Sequence, residues 1–318
     1  MLASRQRSYL FRNFRTCMRA LRANRDRARV IGELLRLHAF LMDGENMTMR
    51  LLLAAAMIFA AAATVLPAAA ETPRQICDTE GGAFSTDQRI DSCSALIQAS
   101  PIDAAAYNGR GKAYEDNRNY DRAIADYTQA IRLDPKYAAA FNNRGYAYQD
   151  KGNYDQAIAD YTEAIRLDPK YAAAYDNRGT VYESKKDYAH AIADFTQAIA
   201  LDPKLAQPLN NRCYDNAIIG QLQPALVDCN QSLALRPNDA NTLDSRGFVY
   251  LKLGQFDKAI ADYDTALRIN PRIATSLFGR GIAKLKAGNG TAGNADIAAA
   301  KAMQANIADQ MAALGISP

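Results

Sequence analysis

The stretch Tyr107-Asn-Gly-Arg-Gly-Lys-Ala-Tyr114 decides the fold, because it returns as Phe141-Asn-Asn-Arg-Gly-Tyr-Ala-Tyr148 and as Tyr175-Asp-Asn-Arg-Gly-Thr-Val-Tyr182, each time 34 residues further on. The same period is marked by one proline and one aspartate per unit: Pro101, Pro135, Pro169, Pro203, Pro237 and Pro271, and Asp126, Asp160, Asp194, Asp228, Asp262 and Asp296. A fixed period of this length is typical of a solenoid, in which each unit contacts only its neighbours. Alanine, the strongest helix former, is abundant, so the units are predicted to be helical.

These units resemble tetratricopeptide repeats, which have a bulky residue at position 4, Gly at 8, Tyr at 11, Ala at 20, an aromatic residue at 24, Ala at 27 and Pro at 32. With position 1 at Ala104, repeat 1 supplies Tyr107, Gly111, Tyr114, Ala123, Tyr127, Ala130 and Pro135. Repeats 1 to 5 are assigned to residues 104–137, 138–171, 172–205, 206–239 and 240–273. The resemblance implies an all-α, right-handed superhelical solenoid of antiparallel helix pairs. Small residues at positions 8 and 20 let the paired helices approach, and large ones fill the space around them.

Weaker copies of the repeat flank these five. Residues 274–318 are predicted to form a degenerate sixth repeat followed by a C-terminal capping helix, because Gly281 keeps position 8 while Lys284 stands at 11 and Gly293 at 20. Residues 71–103 are predicted to form a degenerate N-terminal helical repeat, since the 34-residue register continues through them.

Four cysteines follow residue 70, and they form two pairs with the same separation of 16 residues. Cys77 and Cys213 fall at position 8 of the register, and Cys93 and Cys229 fall at position 24. In tetratricopeptide repeats these positions lie on facing sides of the two helices, so we predict the disulfides Cys77–Cys93 and Cys213–Cys229. The alternative is two pairs of buried free thiols. The spacing fits no compact metal motif.

Arginine occupies position 7 in six successive repeats, where the family generally has leucine: Arg110, Arg144, Arg178, Arg212, Arg246 and Arg280. Aspartate occupies position 23 in the same six repeats. This coordinated placement predicts an Arg–Asp pair between the two helices of each repeat. We interpret the pair as structural, because a desolvated ion pair can set the register of packed elements.

A secretory signal peptide is predicted at residues 49–70. Met49-Arg50 supplies a positive start, Leu51 to Leu66 form an apolar run, and Ala68-Ala69-Ala70 offer the small residues of a cleavage site. The run is shorter than the roughly 20 apolar residues of a membrane helix, although an uncleaved anchor is the alternative. We therefore expect a bacterial periplasmic or secreted protein with no membrane span after signal removal.

Residues 1–48 are predicted to be a non-native or disordered extension, with translation starting at Met47 or Met49. The alternative is a basic arm for nucleic acid or membranes. Residues 1–70 contain 11 Arg, no Lys and 4 acids, so the formal net charge of +4 has its origin there. Residues 71–318 hold 27 bases and 30 acids and no basic stripe, and no nucleic-acid partner is expected.

The residues after position 70 offer little for catalysis. They contain a single histidine, His190, so neither a catalytic triad nor a histidine metal cluster can be assembled. Gly288-Asn-Gly290-Thr-Ala-Gly293 matches G-x-G-x-x-G, but it falls between two helices, whereas a dinucleotide site needs a strand before the motif. We interpret it as a turn. The sequence thus predicts a protein that is not an enzyme and has no cofactor, metal site or catalytic residue.

The resemblance implies that positions 2, 5, 6, 9, 12 and 13 of each first helix line a concave groove. An amide ladder at position 6 could bond the backbone of an extended peptide, and aromatic residues at position 9 could pack against its side chains. Acidic residues stand at positions 12 and 13. The predicted groove residues are Asn143, Asn177 and Asn211, Tyr146, Tyr214 and Phe248, and Glu115, Asp150 and Glu183.

Two functions follow from this groove. The first is a scaffold, periplasmic or secreted, that binds a protein or extended peptide partner. The second is a structural module that associates with itself by end-to-end stacking of repeats and has no specific peptide ligand. In the second case the groove residues are merely solvated.

Overall fold

The computed structural model describes residues 71–79 and 82–317, and every regular element in them is an α-helix. Fifteen helices follow one another in these residues: α1 (Pro73–Asp78), α2 (Thr86–Ala99), α3 (Ala104–Asp116), α4 (Tyr120–Leu133), α5 (Ala138–Asp150), α6 (Tyr154–Leu167), α7 (Ala172–Ser184), α8 (Tyr188–Leu201), α9 (Ala206–Ile218), α10 (Leu222–Leu235), α11 (Ala240–Lys252), α12 (Phe256–Ile269), α13 (Ala274–Lys286), α14 (Gly290–Met303) and α15 (Ile307–Ala313). Helices α3 to α14 form repeats 1 to 6 as successive pairs, so the all-α solenoid is confirmed. The extension predicted at 1–48 and the signal peptide predicted at 49–70 lie outside the described residues.

Local sequence sets where the helices begin and end. Asn119 precedes α4, and its side-chain oxygen accepts a hydrogen bond from the backbone N–H of Arg122, which would otherwise lack a partner. Helix α4 ends before Asp134, which takes an extended conformation because Pro135 follows it. The same Asp-Pro step ends the second helices of repeats 2 and 3.

Each repeat turns between its helices through three residues, and the middle one, at position 15, has a positive φ. Glycine occupies this position in four repeats, with φ between 71° and 87°, a conformation that glycine adopts without the usual steric cost. Gly288 is one of the four. The G-x-G-x-x-G stretch of repeat 6 therefore begins in the inter-helix turn, as predicted, and continues into the first turn of α14.

The two helices of a repeat pack closely because of the small residue at position 8. A Cβ atom added to Gly111 would lie 2.6 Å from the ring of Tyr127, the position-24 residue of the same repeat. Gly179 would meet the ring of Phe195 at 2.7 Å in the same way. Both rings are fully buried, so the predicted fit between positions 8 and 24 is confirmed.

The predicted Arg–Asp pairs are present in all six repeats, and each is bidentate. In repeat 3, Arg178 donates from Nε and Nη2 to the two carboxylate oxygens of Asp194 at 2.7 and 2.8 Å. Its third nitrogen, Nη1, donates to Thr162 Oγ1 of the preceding repeat at 2.9 Å. The same third bond recurs in every repeat from 1 to 6. Each arginine therefore joins three helices from two repeats.

The two cysteine pairs lie at disulfide distance within their helix pairs. The Cα atoms are 4.9 Å apart for Cys77 and Cys93 and 5.4 Å apart for Cys213 and Cys229. All four side chains are buried. In these two helix pairs cysteines thus fill the space that glycine and an aromatic ring fill in most other repeats.

Consecutive first helices, such as α9, α11 and α13, contact one another directly, in addition to the second helix between them. Among the described residues, consecutive second helices make no comparable contact. The first helices therefore line the inner side of the solenoid. At its C-terminal end α15 packs against α13 and α14 through the buried side chains of Ile307 and Met311.

Candidate binding groove

The groove is the inner face formed by positions 5, 6, 9 and 12 of the first helices. Its amide ladder is hydrogen-bonded from repeat to repeat. Asn143 Nδ2 donates to Asn108 Oδ1, and Asn177 Nδ2 donates to Asn142 Oδ1, both at 3.0 Å. A position-6 amide thus satisfies the position-5 amide of the preceding repeat. Because each amide carries two N–H donors, the ladder retains donors that can face a ligand.

The amide ladder contains a carboxylate at repeat 3, where position 5 is Asp176 and not asparagine. Asp176 Oδ1 is buried and has no hydrogen-bond partner among the described residues. Burial raises the pKa of Asp176 to about 6. In repeat 4, Asn210 Oδ1 is likewise buried without a partner, and Asn211 Oδ1 accepts from Gln207 Nε2 at 2.9 Å.

The polar residues at position 12 of repeats 1 to 3 differ in whether they accept a hydrogen bond. Glu115 accepts a hydrogen bond from the hydroxyl of Tyr127 at 2.9 Å, and Gln149 accepts the equivalent bond from Tyr161 at 2.9 Å. In repeat 3 the position-24 residue is Phe195, which has no hydroxyl. The Glu183 side chain consequently makes no hydrogen bond or ion pair among the described residues. Burial, and secondarily the charge of Asp176, raise the pKa of Glu183 to about 7.

Repeat 5 shows the opposite mismatch. Tyr263 supplies the position-24 hydroxyl, but position 12 is Leu251, which cannot accept it. The Tyr263 side chain is only 1% exposed, and its hydroxyl has no partner in the described part of the chain. The glycine at position 6 of repeat 6 gives the ring room, because a Cβ on Gly279 would lie 2.5 Å from Tyr263 Oη. Repeat 3 therefore has the carboxylate of Glu183 without a tyrosine hydroxyl, and repeat 5 has the hydroxyl of Tyr263 without an acceptor.

Glu183 and Tyr263 both line one cavity of about 230 Å³, here called the acidic cavity. It lies between the first helices of repeats 3 to 5, and Met311 and Leu314 at the C-terminal end close it on one side. Asp244 supplies a second carboxylate. No lysine or arginine lines the cavity in the described residues.

The predicted aromatic residues separate into two groups. Tyr146 stands apart and is 39% exposed. Tyr214 and Phe248 come together with ring centroids 5.8 Å apart, and both line the acidic cavity. Phe248 is only 4% exposed and belongs to the hydrophobic core as well. The three predicted acids also separate, since only Glu183 reaches this cavity and Asp150 is exposed.

Besides Asp176, two other carboxylates were not predicted from the sequence. Asp244 at position 5 accepts from the hydroxyls of Thr275 and Ser276, yet burial raises the pKa of Asp244 above its usual range. Asp215 is completely buried, and neither of its carboxylate oxygens has a partner in the described chain. Comparing position 10 across repeats would have shown Asp215, because the other five repeats have alanine or valine there.

Comparison with protein families identifies the repeat. The family model described as "Tetratricopeptide repeat" matches residues 138–171, 172–205 and 245–273. A second one, described as "TPR repeat", matches residues 119–152. The matched segments, 119–205 and 245–273, are tetratricopeptide repeats. A comparison with curated proteins found no match.

Solved structures share the fold at low sequence identity. YrrB, a TPR protein with an unusual peptide-binding site, is 22% identical with a TM-score of 0.51, over 59% of this chain and 97% of YrrB. A tetratricopeptide repeat protein from Parabacteroides merdae is 20% identical with a TM-score of 0.54, over 72% and 91% of the two chains. Pseudomonas aeruginosa pilF is 19% identical with a TM-score of 0.56, over 63% and 91%. At these identities the likeness concerns the fold alone.

No group of three or more His, Cys, Asp or Glu side chains in the described residues is arranged to hold a metal ion. None of the described helices is both long enough and apolar enough to cross a membrane.

Proposed function

We propose that this chain is a binding scaffold whose groove takes an extended peptide segment of a partner protein. The observation that carries this proposal is the row of polar side chains on the first helices of repeats 1 to 5. Amides and carboxylates there follow one another at the spacing of the repeats, and several keep unused hydrogen-bonding capacity. An extended backbone presents N–H and C=O groups in a similar linear series.

The comparisons support the same proposal. Matched tetratricopeptide repeats supply part of the groove, and YrrB, which shares the fold, is described as having a peptide-binding site. We further propose that the chain works outside the cytoplasm, in the periplasm or as a secreted protein. The apolar run before Ala70 and the two cysteine pairs at disulfide distance support that location, because disulfides persist in oxidising compartments.

The test is capture of a randomised library of end-blocked nonapeptides by the immobilised full chain. We expect enrichment by the natural chain and weaker capture by the triple variant Asn143→Ala, Asn177→Ala and Asn211→Ala. Loss of three hydrogen bonds at roughly 0.5–1.5 kcal/mol each predicts at least about a tenfold decrease in affinity.

The matched control is Gln156→Ala with Gln197→Ala, which removes exposed amides from the second helices. Far-UV circular dichroism should show the same helix content for all variants. Equal capture by the natural chain and the triple variant would remove the amide ladder from the site. Absence of capture, together with sedimentation that depends on protein concentration, would favour the self-associating module.

A further inference from the structure

The acidic cavity contains polar groups that the folded chain leaves unpaired. Tyr263 and Asn210 line the cavity and are at least nine-tenths buried, and Tyr263 Oη and Asn210 Oδ1 have no hydrogen-bond partner in the described residues. Glu183 has lost the tyrosine hydroxyl that serves its equivalent in repeat 1. A buried polar group without a hydrogen bond costs free energy, so these groups indicate a ligand that completes them.

The charge of the cavity indicates the sign of that ligand. Glu183 and Asp244 line it, and Asp176 is close enough to raise the pKa of Glu183. The nearby cation Lys252 is otherwise engaged, since its Nζ donates to Ala217 O at 2.9 Å and lies over the Phe248 ring. Acceptors and carboxylates thus gather where the described chain supplies no counter-ion, which favours a cationic ligand.

Size and shape narrow the ligand to a side chain. The volume of about 230 Å³ is below the roughly 300–1,000 Å³ of pockets for whole small molecules. The partly exposed ring of Tyr214 supplies a face on which a planar cation can stack. Arginine has a planar guanidinium with five N–H donors and an apolar stem, whereas lysine ends in a compact, strongly hydrated ammonium.

We propose that the acidic cavity binds an arginine side chain of the peptide that occupies the groove. This inference rests on the proposed function and names one residue of its ligand. The guanidinium donates to Glu183, to Asn210 Oδ1 and to Asp244, and the Tyr263 hydroxyl completes the ring of acceptors. Met311 and Leu314 contact the apolar stem of the arginine.

The test uses four nonapeptide sub-libraries that share randomised flanks and carry arginine, citrulline, lysine or norleucine at the centre. Citrulline keeps the shape of arginine but is neutral. We expect the immobilised full chain to retain the arginine sub-library at least about tenfold better than the citrulline one, because hydrogen bonds to charged groups are the stronger class. Equal retention of arginine and citrulline overturns this inference and leaves the groove proposal intact. Equal retention of arginine and lysine overturns the assignment to arginine, and failure of all four sub-libraries overturns the proposed function itself.

Two variants locate the preference in the cavity. Glu183→Gln removes one charge, and Tyr263→Phe removes one hydroxyl while leaving a ring that repeat 3 already accommodates as Phe195. Both should reduce the preference for arginine over citrulline. Glu163→Gln is the matched control, because Glu163 lies on the second helix α6, outside both the groove and the cavity. A preference that survives both cavity variants contradicts the inference.

Discussion

Among single residues, Asp215 fits its surroundings least well. Position 10 is otherwise filled by small apolar side chains that pack between the helices: Ala113, Ala147, Val181, Val249 and Ala283. Asp215 is 0% exposed there, and burial, with a smaller contribution from Glu183, raises its pKa to about 8. An unpartnered carboxyl group in such a place destabilises the folded chain and makes its stability sensitive to pH.

We predict that Asp215→Val stabilises the protein by about 1–3 kcal/mol at neutral pH, because it replaces an unsatisfied buried group with the side chain that repeats 3 and 5 carry. Urea unfolding followed by circular dichroism measures this difference. A lower free energy of unfolding for the variant would show that Asp215 has a stabilising partner in solution.

The pH dependence has a definite sign. The pKa of Asp215 is about 8 when folded, against about 3.9 for an unfolded aspartate. Between these values the folded chain binds more protons than the unfolded one, so the free energy of unfolding falls as pH rises. Asp215→Asn and Asp215→Val should both make this fall less steep, and an unchanged slope would contradict the assignment.

Within and between repeats, the arginine at position 7 is the recurring link. Arg178 is bonded to Asp194 in its own repeat and to Thr162 in the preceding one, and the ring of Tyr175 lies 5.8 Å from its guanidinium carbon. Leucine at this position could pack but could not form these directional bonds. The arginines therefore specify how each repeat sits on the previous one as well as how its two helices pair.

Replacing only one partner of this link should be costly. We expect Arg178→Leu to lower the free energy of unfolding by about 3 kcal/mol, since it leaves Asp194 buried without a counter-ion. The double variant Arg178→Leu with Asp194→Ala should cost less than the single change. Urea unfolding of the natural chain, the single variant and the double variant measures these differences. A double variant less stable than Arg178→Leu alone would contradict the prediction.

Each cysteine pair joins the two helices of one helix pair, as the Arg–Asp pairs do, but by a disulfide. In protein purified from exporting cells, mass spectrometry with thiol alkylation should label none of Cys77, Cys93, Cys213 and Cys229 before reduction and all four afterwards. Reduction should also lower the free energy of unfolding, by roughly 3 kcal/mol for a disulfide that closes a loop of this length. Four labelled thiols before reduction would contradict both the disulfides and the proposed location.

At the scale of the whole molecule, the fold was predictable because each repeat restates the same local rules. Positions 8 and 24 form the contact between the helices, position 15 forms the turn, and the proline at position 32 ends the second helix. The Arg–Asp pairing was predicted from the arginine at position 7 and the aspartate at position 23. The bonds from Asn143 to Asn108 and from Arg178 to Thr162 were not predicted, because each joins different positions of neighbouring repeats.

The acidic cavity was harder to foresee for a similar reason. Glu183, Asn211, Tyr214 and Phe248 can each be predicted from a single position of the repeat. Their assembly into one cavity depends on three repeats and on α15, which covers them from the C-terminal end. Tyr263 escaped notice because it matches the repeat pattern perfectly. Tyr263 is distinguished only by Leu251 at position 12, which cannot accept its hydrogen bond. That mismatch is visible only when positions 12 and 24 are compared together.

The central claim is that a peptide lies along the first helices, and photo-cross-linking tests it most directly. A peptide captured from the library would carry a benzophenone, and mass spectrometry would locate the cross-links on the full chain. We predict cross-links to positions 5, 6 and 9 of repeats 2 to 5, near residues such as Asn177 and Tyr214. Cross-links confined to the second helices, or to a second copy of the chain, would contradict the claim.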